Sequence, residues 1–173
     1  MFLTHTTIST PFYLRASWRI MNFLFKYEDF YEKPTLDSGV IKIGFGHIVD
    51  KFYTMPAMNM WQGIGLWRSD IEEIEDYLNN WFPHILDYQF DGLLSLIIDI
   101  GLDAFDKTDI PRELDKRRSN VIPRLMMEAP MDPDKEVRRK KEVNIFIGES
   151  YTRPVFGGKN GEFCKAMKKS YII

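Results

Sequence analysis

One segment restricts the fold more than any other. Between Asp87 and Ile100, the residues Phe90, Leu93, Leu94, Ile97 and Ile98 recur at i, i+3, i+4, i+7 and i+8. That spacing sets large apolar side chains along one face of a helix. A helix with so much apolar surface is predicted to lie at the centre of the molecule, under other helices. Gly101 follows directly and is the residue type that commonly ends a helix.

Shorter helical patterns surround it. Ile20, Phe23, Leu24 and Tyr27 form a stripe expected to end near Asp29, ahead of Pro34. Ser69-Asp70-Ile71-Glu72 reads as a capping box opening a helix with Ile71, Ile74, Leu78 and Trp81 on its apolar face, stopped by Pro83. Asp109 with Pro111 predicts a helix start running through Leu114, and Ile122, Leu125 and Met126 predict a further short helix. Lys135 to Ile147 reads as a basic helix anchored by Val137, Ile145 and Phe146. Residues 1–12 read as an extended lead-in, residues 51–67 as irregular, 157–161 as a flexible turn and 162–173 as a last short helix.

The stretch after Pro34 has a different character. Thr35-Leu36-Asp37-Ser38-Gly39 is turn-like, and Val40-Ile41-Lys42-Ile43 is mostly β-branched. Gly44-Phe45-Gly46-His47 follows, so a β-hairpin or small sheet is predicted. By strand alternation Gly44 and Gly46 share a side with Lys42, which suggests close approach by a ligand or another backbone. The fold class is therefore α+β, mainly helical. At 173 residues the chain is expected to be one domain, 1–173, with the β element in about 13–67 and helices over about 68–173.

Composition excludes several functions. Lys plus Arg is 23 and Asp plus Glu is 25, a balance with no general drive toward nucleic acid or anionic membrane. The basic run Arg138–Lys141 is the one local feature that speaks for nucleic acid, and a solvated helix face is the preferred reading for most of it. No apolar run approaches the roughly 20 residues that span a bilayer, and the N-terminus lacks the pattern of a signal peptide. The single Cys164 makes neither an internal disulfide nor a multi-cysteine zinc site. His5, His47 and His84 are too scattered for a metal motif, so neither metal nor organic cofactor is expected. Trp61 and Trp67, with Met55, Met58 and Met60, either line a sugar groove or pack in the core, and core packing is preferred.

Two carboxyl groups stand out by setting. Glu28 ends an apolar helix after Phe25 and Tyr27, and Asp37 comes nine residues later in a polar turn. Glycoside hydrolysis needs such a pair: a protonated acid for the leaving oxygen and an ionised carboxylate for the other face of the sugar. Spacing alone does not select this pair from the chain's other acids. The bland reading is a polar helix end and a turn residue.

The whole string is more specific. Glu28, Asp37, Gly39-Val40 and Ile43-Gly44-Phe45-Gly46-His47 resemble the signature of the phage-type lysozyme family. That signature is a glutamate, an aspartate nine residues on, and a hairpin ending in Thr-Ile-Gly-aromatic-Gly-His. Gln89 to Ser95, running to Gly101-Leu102-Asp103-Ala104-Phe105, resembles the family's central helix and its exit. Arg138-Arg139-Lys140-Lys141-Glu142 resembles its late Arg-Arg-x-x-Glu helix. The resemblance implies a small β-hairpin lobe and a larger helical lobe joined by a long helix. It implies cleavage of the β-1,4 bond between N-acetylmuramic acid and N-acetylglucosamine of peptidoglycan, by a monomer with no cofactor. Glu28 would be the general acid, Asp37 would activate water, and Arg138 would stand beside Glu28. Gly44, Gly46 and His47 would support the site, with His47 bonding a nearby acid. The protein would be made in the cytoplasm without a signal peptide and act on the wall after release.

The chain departs from the family at three places. Lys42 stands where the family has threonine, with one residue fewer after Asp37. Asp99 stands where the family has asparagine, and Thr108-Asp109-Ile110 replaces Ser-Thr-Leu, with Asp109 still able to cap its helix. Lys42 is carried with Glu28 and Asp37 as a candidate catalytic residue, and three outcomes stay open for it: it points to solvent, it pairs with Asp37, or the fold persists as a glycan- or protein-binding module without catalysis.

Overall fold

The computed structural model describes residues 13–37, 39–50 and 56–149. The expectations for residues 1–12 and 157–173, and for His5, Met55 and Cys164, lie outside the described residues. The central helix, α4 (Asp87–Ile100), has the predicted bounds, with Gly101 as its C-cap. Phe90, Leu93, Leu94 and Ile97 are fully buried, in one cluster with α1 (Trp18–Leu24) and the later helices. Ser17 fastens α1 to α4: its N–H donates to Asp91 Oδ1 at 3.1 Å and its hydroxyl donates to the other oxygen. Gly92 admits the last described helix, α8 (Glu136–Phe146), because a Cβ there would lie 2.9 Å from the Cβ of Phe146.

The first lobe is built on a three-stranded antiparallel sheet, β1 (Tyr31–Asp37), β2 (Val40–Gly44) and β3 (His47–Val49), in that order. Thr35, Leu36 and Asp37 belong to β1 rather than to a turn, paired with Lys42, Ile41 and Val40. Pro34 and the charged Glu32 and Lys33 mask that strand in the sequence; it lies at the sheet edge, where proline is tolerated. Strand alternation reaches Gly44 but not Gly46, which sits in the turn to β3 at φ +87.

Residues 60–67 are helical, not irregular. They belong to α2 (Met60–Asp70), opened by a capping box between Asn59 and Gln62. Gly63 faces the sheet: a Cβ there would lie 2.5 Å from the Phe30 ring and 3.5 Å from the Cα of Gly44. The expected approach to Gly44 is thus made by the backbone of α2. Trp67 is buried edge-on to Phe25, whereas Trp61 is exposed.

Ile71 closes α2 and opens α3 (Glu72–Trp81), a one-residue break in the helical connection between sheet and helices. Ser69 does not open the second of them. Trp81 is 69% exposed, off the apolar face assigned to it. His84 is half-buried and its Nε2 lies 3.0 Å from the Leu114 carbonyl oxygen. Helices α5 (Leu102–Asp106), α6 (Ile110–Asp115) and α7 (Ile122–Glu128) complete the described chain. Asp109 makes no side-chain cap; Thr108 Oγ1 accepts from the Ile110 N–H instead, and Asp109 pairs with Arg112 at 3.1 Å. No described helix is long and apolar enough to cross a membrane.

Candidate functional site

Helix α1 ends early and places Glu28 in the turn that closes it. The Tyr27 and Glu28 N–H groups both donate to the Leu24 carbonyl, at 2.8 and 3.2 Å. Phe25 is buried beneath, stacked on Phe45 at 3.9 Å between ring centres, while Tyr27 is exposed rather than part of the stripe. The Glu28 side chain is 32% exposed. Gly46 lies against it: a Cβ there would be 3.7 Å from Glu28 Oε2, on a backbone that disfavours any side chain. The sheet turn is therefore trimmed where it meets the carboxyl group.

Asp37 and Lys42 lie on one sheet face, as the Thr35–Lys42 and Asp37–Val40 pairings dictate. The Lys42 ammonium donates to Asp37 Oδ2 at 2.8 Å, and the Tyr31 hydroxyl donates to the same oxygen at 3.2 Å. Both members of the ion pair are about one-third exposed or less. The hydrogen bond to Asp37 pushes the Lys42 ammonium above its usual range; Tyr31 is raised by burial first and by Asp37 second. His47 Nδ1 lies 2.8 Å from Asp70 Oδ1, which joins β3 to the end of α2.

The other side of Glu28 is helical and far more buried. Arg138 Nη1 lies 3.6 Å from Glu28 Oε1 and 4.0 Å from Asp99 Oδ1. Its Nε donates to Glu142 Oε1 at 3.0 Å, where the Ser95 hydroxyl also donates at 2.7 Å. Arg139 Nε takes the other Glu142 oxygen at 2.9 Å. Arg139 also reaches Asp99 Oδ2 at 2.9 Å and the Met126 carbonyl at 2.8 Å. Lys135 donates to Asp99 Oδ1 at 2.9 Å. Burial pushes the Asp99 carboxyl up, but the bonds from Lys135 and Arg139 and the charge of Arg138 outweigh it, and the net shift is down.

Sequence reasoning puts Glu28, Asp37, Lys42, Gly46 and Arg138 in one site; in the structure Glu28 meets Arg138 and Gly46, and Asp37 meets Lys42. It missed Arg139, Glu142, Ser95 and Tyr31. The basic run predicts a solvated face for Arg139, yet its side chain is fully buried, and Val137, a predicted anchor, is exposed. A signal was present: stepping back from Ile145 and Phe146 by helical spacing lands on Glu142, Arg139 and Arg138. The buried stripe of α8 continues in charged residues. Among the described residues, no group of three His, Cys, Asp or Glu side chains is placed to hold a metal ion.

A family model described as phage lysozyme matches residues 25–130. The fold is similar to that of a P22 lysozyme variant, with a TM-score of 0.67 and 23% identity over 78% of this chain and 99% of that one. It is also similar to the muramidase domain of SpmX from Asticaccaulis excentricus, with a TM-score of 0.65 and 23% identity over 78% and 98% of the two chains. A third solved structure is the endolysin of Escherichia coli O157:H7 phage FAHEc1, with a TM-score of 0.68 and 16% identity over 81% and 98%. No curated protein shows significant sequence similarity to the chain.

Proposed function

The chain belongs to the phage lysozyme family, and from that premise we propose that it hydrolyses the β-1,4 bond between N-acetylmuramic acid and N-acetylglucosamine of bacterial peptidoglycan. Glu28 is the general acid: it gives its proton to the glycosidic oxygen as the bond to the anomeric carbon breaks. Asp37 is the base: it takes a proton from the water that attacks that carbon from the other face, in an inverting displacement. Lys42 positions Asp37, Arg138 stands beside Glu28, and Gly44, Gly46 and His47 support the site. The glycan strand is the partner and the wall is the place of action, reached after release from the cell that makes the protein. The chain acts as a single domain and a monomer, with water as the only co-reactant.

The observation that carries this reading is the Lys42–Asp37 bond at 2.8 Å. A cation bonded to Glu28 would favour its ionised form, which is useless to an acid catalyst. Held on Asp37, the same cation favours the ionised form that a base needs. The replacement of threonine by lysine is then compatible with catalysis.

The test is turbidity loss of chloroform-permeabilised Gram-negative cells, with wild type beside Glu28→Gln. Clearing by wild type and a loss of about 10²-fold or more in Glu28→Gln is expected, the usual contribution of a general acid. No clearing by either folded protein, on this or other wall types, would sink the hydrolase and leave a lysozyme-fold binding module.

A further inference from the structure

Arg138 is shared. One guanidinium nitrogen, Nη1, faces Glu28 Oε1 at 3.6 Å and Asp99 Oδ1 at 4.0 Å. Both separations exceed a normal hydrogen bond, so neither carboxylate owns the group. Its Nε is fixed by Glu142 at 3.0 Å, and its plane lies over the Tyr27 ring at 5.4 Å. Nη2 is buried and makes no hydrogen bond among the described residues. The guanidinium is tethered to Glu142 through Nε, and it is 7% exposed, so water screens it little.

We propose that Asp99 is a positioning residue for Glu28: by sharing Arg138, it keeps that cation from holding Glu28 in its ionised form. This rests on the reading of Glu28 as the general acid. The charge count gives the reason. Lys135, Arg138 and Arg139 are three cations. Asp99 and Glu142 are the buried anions bonded to them, and the exposed Asp132 adds a third at Lys135, 3.3 Å away. When Glu28 is protonated, as an acid catalyst must be, this cluster is neutral. With residue 99 neutral it would carry one positive charge, and Glu28 would be the carboxyl group facing Arg138 that remains beside Glu142.

The other charged groups around Glu28 do not substitute for Asp99. Lys42 acts on Glu28 from the sheet but is bonded to Asp37. Lys141 of α8 is exposed and bonded to the Tyr27 hydroxyl at 3.2 Å. His47 is engaged by Asp70. Lys26 and Asp29, in and beside Glu28's own turn, oppose one another in sign.

Two variants change the balance in opposite directions. Asp99→Asn keeps the shape and removes the anion, so Arg138 and Lys135 act on Glu28 undivided. Lys135→Met, at a 38% exposed position, removes a cation from Asp99, so Asp99 draws more on Arg138. The measurement is a carbon-13 NMR titration of the Glu28 carboxyl, assigned by its disappearance in Glu28→Gln, with the pH profile of kcat/KM beside it. In Asp99→Asn, Glu28 is expected to lose its proton about one pH unit lower, the scale of one nearby charge, and the alkaline limb of activity should fall with it. In Lys135→Met both should move up. Loosening of the structure alone would expose Glu28 and move both variants the same way. A Glu28 titration that moves in neither variant, or the same way in both, overturns the proposal. The NMR readout needs no activity, so opposite shifts in a protein that fails to clear cells would support the role of Asp99 while rejecting the hydrolase.

Discussion

The two sides of Glu28 use the same chemistry under different solvent. On the sheet side, Lys42 and Asp37 form one ion pair, each about one-third exposed or less. On the helix side, Arg138, Arg139, Asp99 and Glu142 form a network in which no side chain is more than 7% exposed. Partly wet charges can exchange partners and water at small cost, and the net worth of such a pair is about 1 kcal/mol or less. Charges without water must satisfy one another almost completely, and removing one leaves the rest uncompensated. The sheet side is thus suited to a group that must handle a water and a proton. The helix side is suited to holding a fixed electrostatic setting for Glu28, the proposed acid.

The largest effect expected from breaking this contrast is at Glu142. Glu142→Ala leaves Arg138, Arg139 and Ser95 without their shared acceptor, and a loss of about 3–5 kcal/mol in folding stability is expected by denaturant titration. A loss under about 1 kcal/mol would mean that the helix side behaves like a surface pair. Lys42→Thr should do the reverse. Stability should change by about 1 kcal/mol or less, while the rate of wall clearing falls roughly tenfold, about 1.4 kcal/mol in the barrier, because Asp37 loses its positioning cation. A large gain in clearing would instead mean that the lysine obstructs the site. The smallest effect belongs outside both sides: Trp81→Ser, at a 69% exposed position, should shift stability by no more than about 0.5 kcal/mol.

The same contrast explains how much was legible beforehand. The central helix was readable to its last residue because its apolar stripe is strong: Phe90, Leu93, Leu94 and Ile97 are buried as their spacing requires, with Asp91 and Ser95 buried among them and Ile98 half-buried at the edge. Ile122, Leu125 and Met126 were readable for the same reason. Helix α2 was not, because Gly63 and Gly65 lower helix propensity. Gly63 is nonetheless the residue that lets α2 meet Phe30 and Gly44, so the contact that requires the glycine is tertiary. The first strand was hidden by Glu32, Lys33 and Pro34, acceptable only at a sheet edge. The buried face of α8 was masked by its charge: Arg138, Arg139 and Glu142 carry no hydrophobic signal of their own, and only their helical spacing from Ile145 and Phe146 points to them.

The sequence by itself determined the class of fold, the central helix, the family and the pair of carboxyl groups worth examining, because apolar periodicity and short motifs are local and survive in one dimension. Only the tertiary structure decided which charges are buried and with whom they pair. Lys42 lies on Asp37, Arg138 lies between Glu28 and Asp99, and Arg139 is buried rather than solvated. The physical reason is that a charge's energy depends on the water and partners around it. Those are set by residues as far apart in the chain as Glu28 and Arg138.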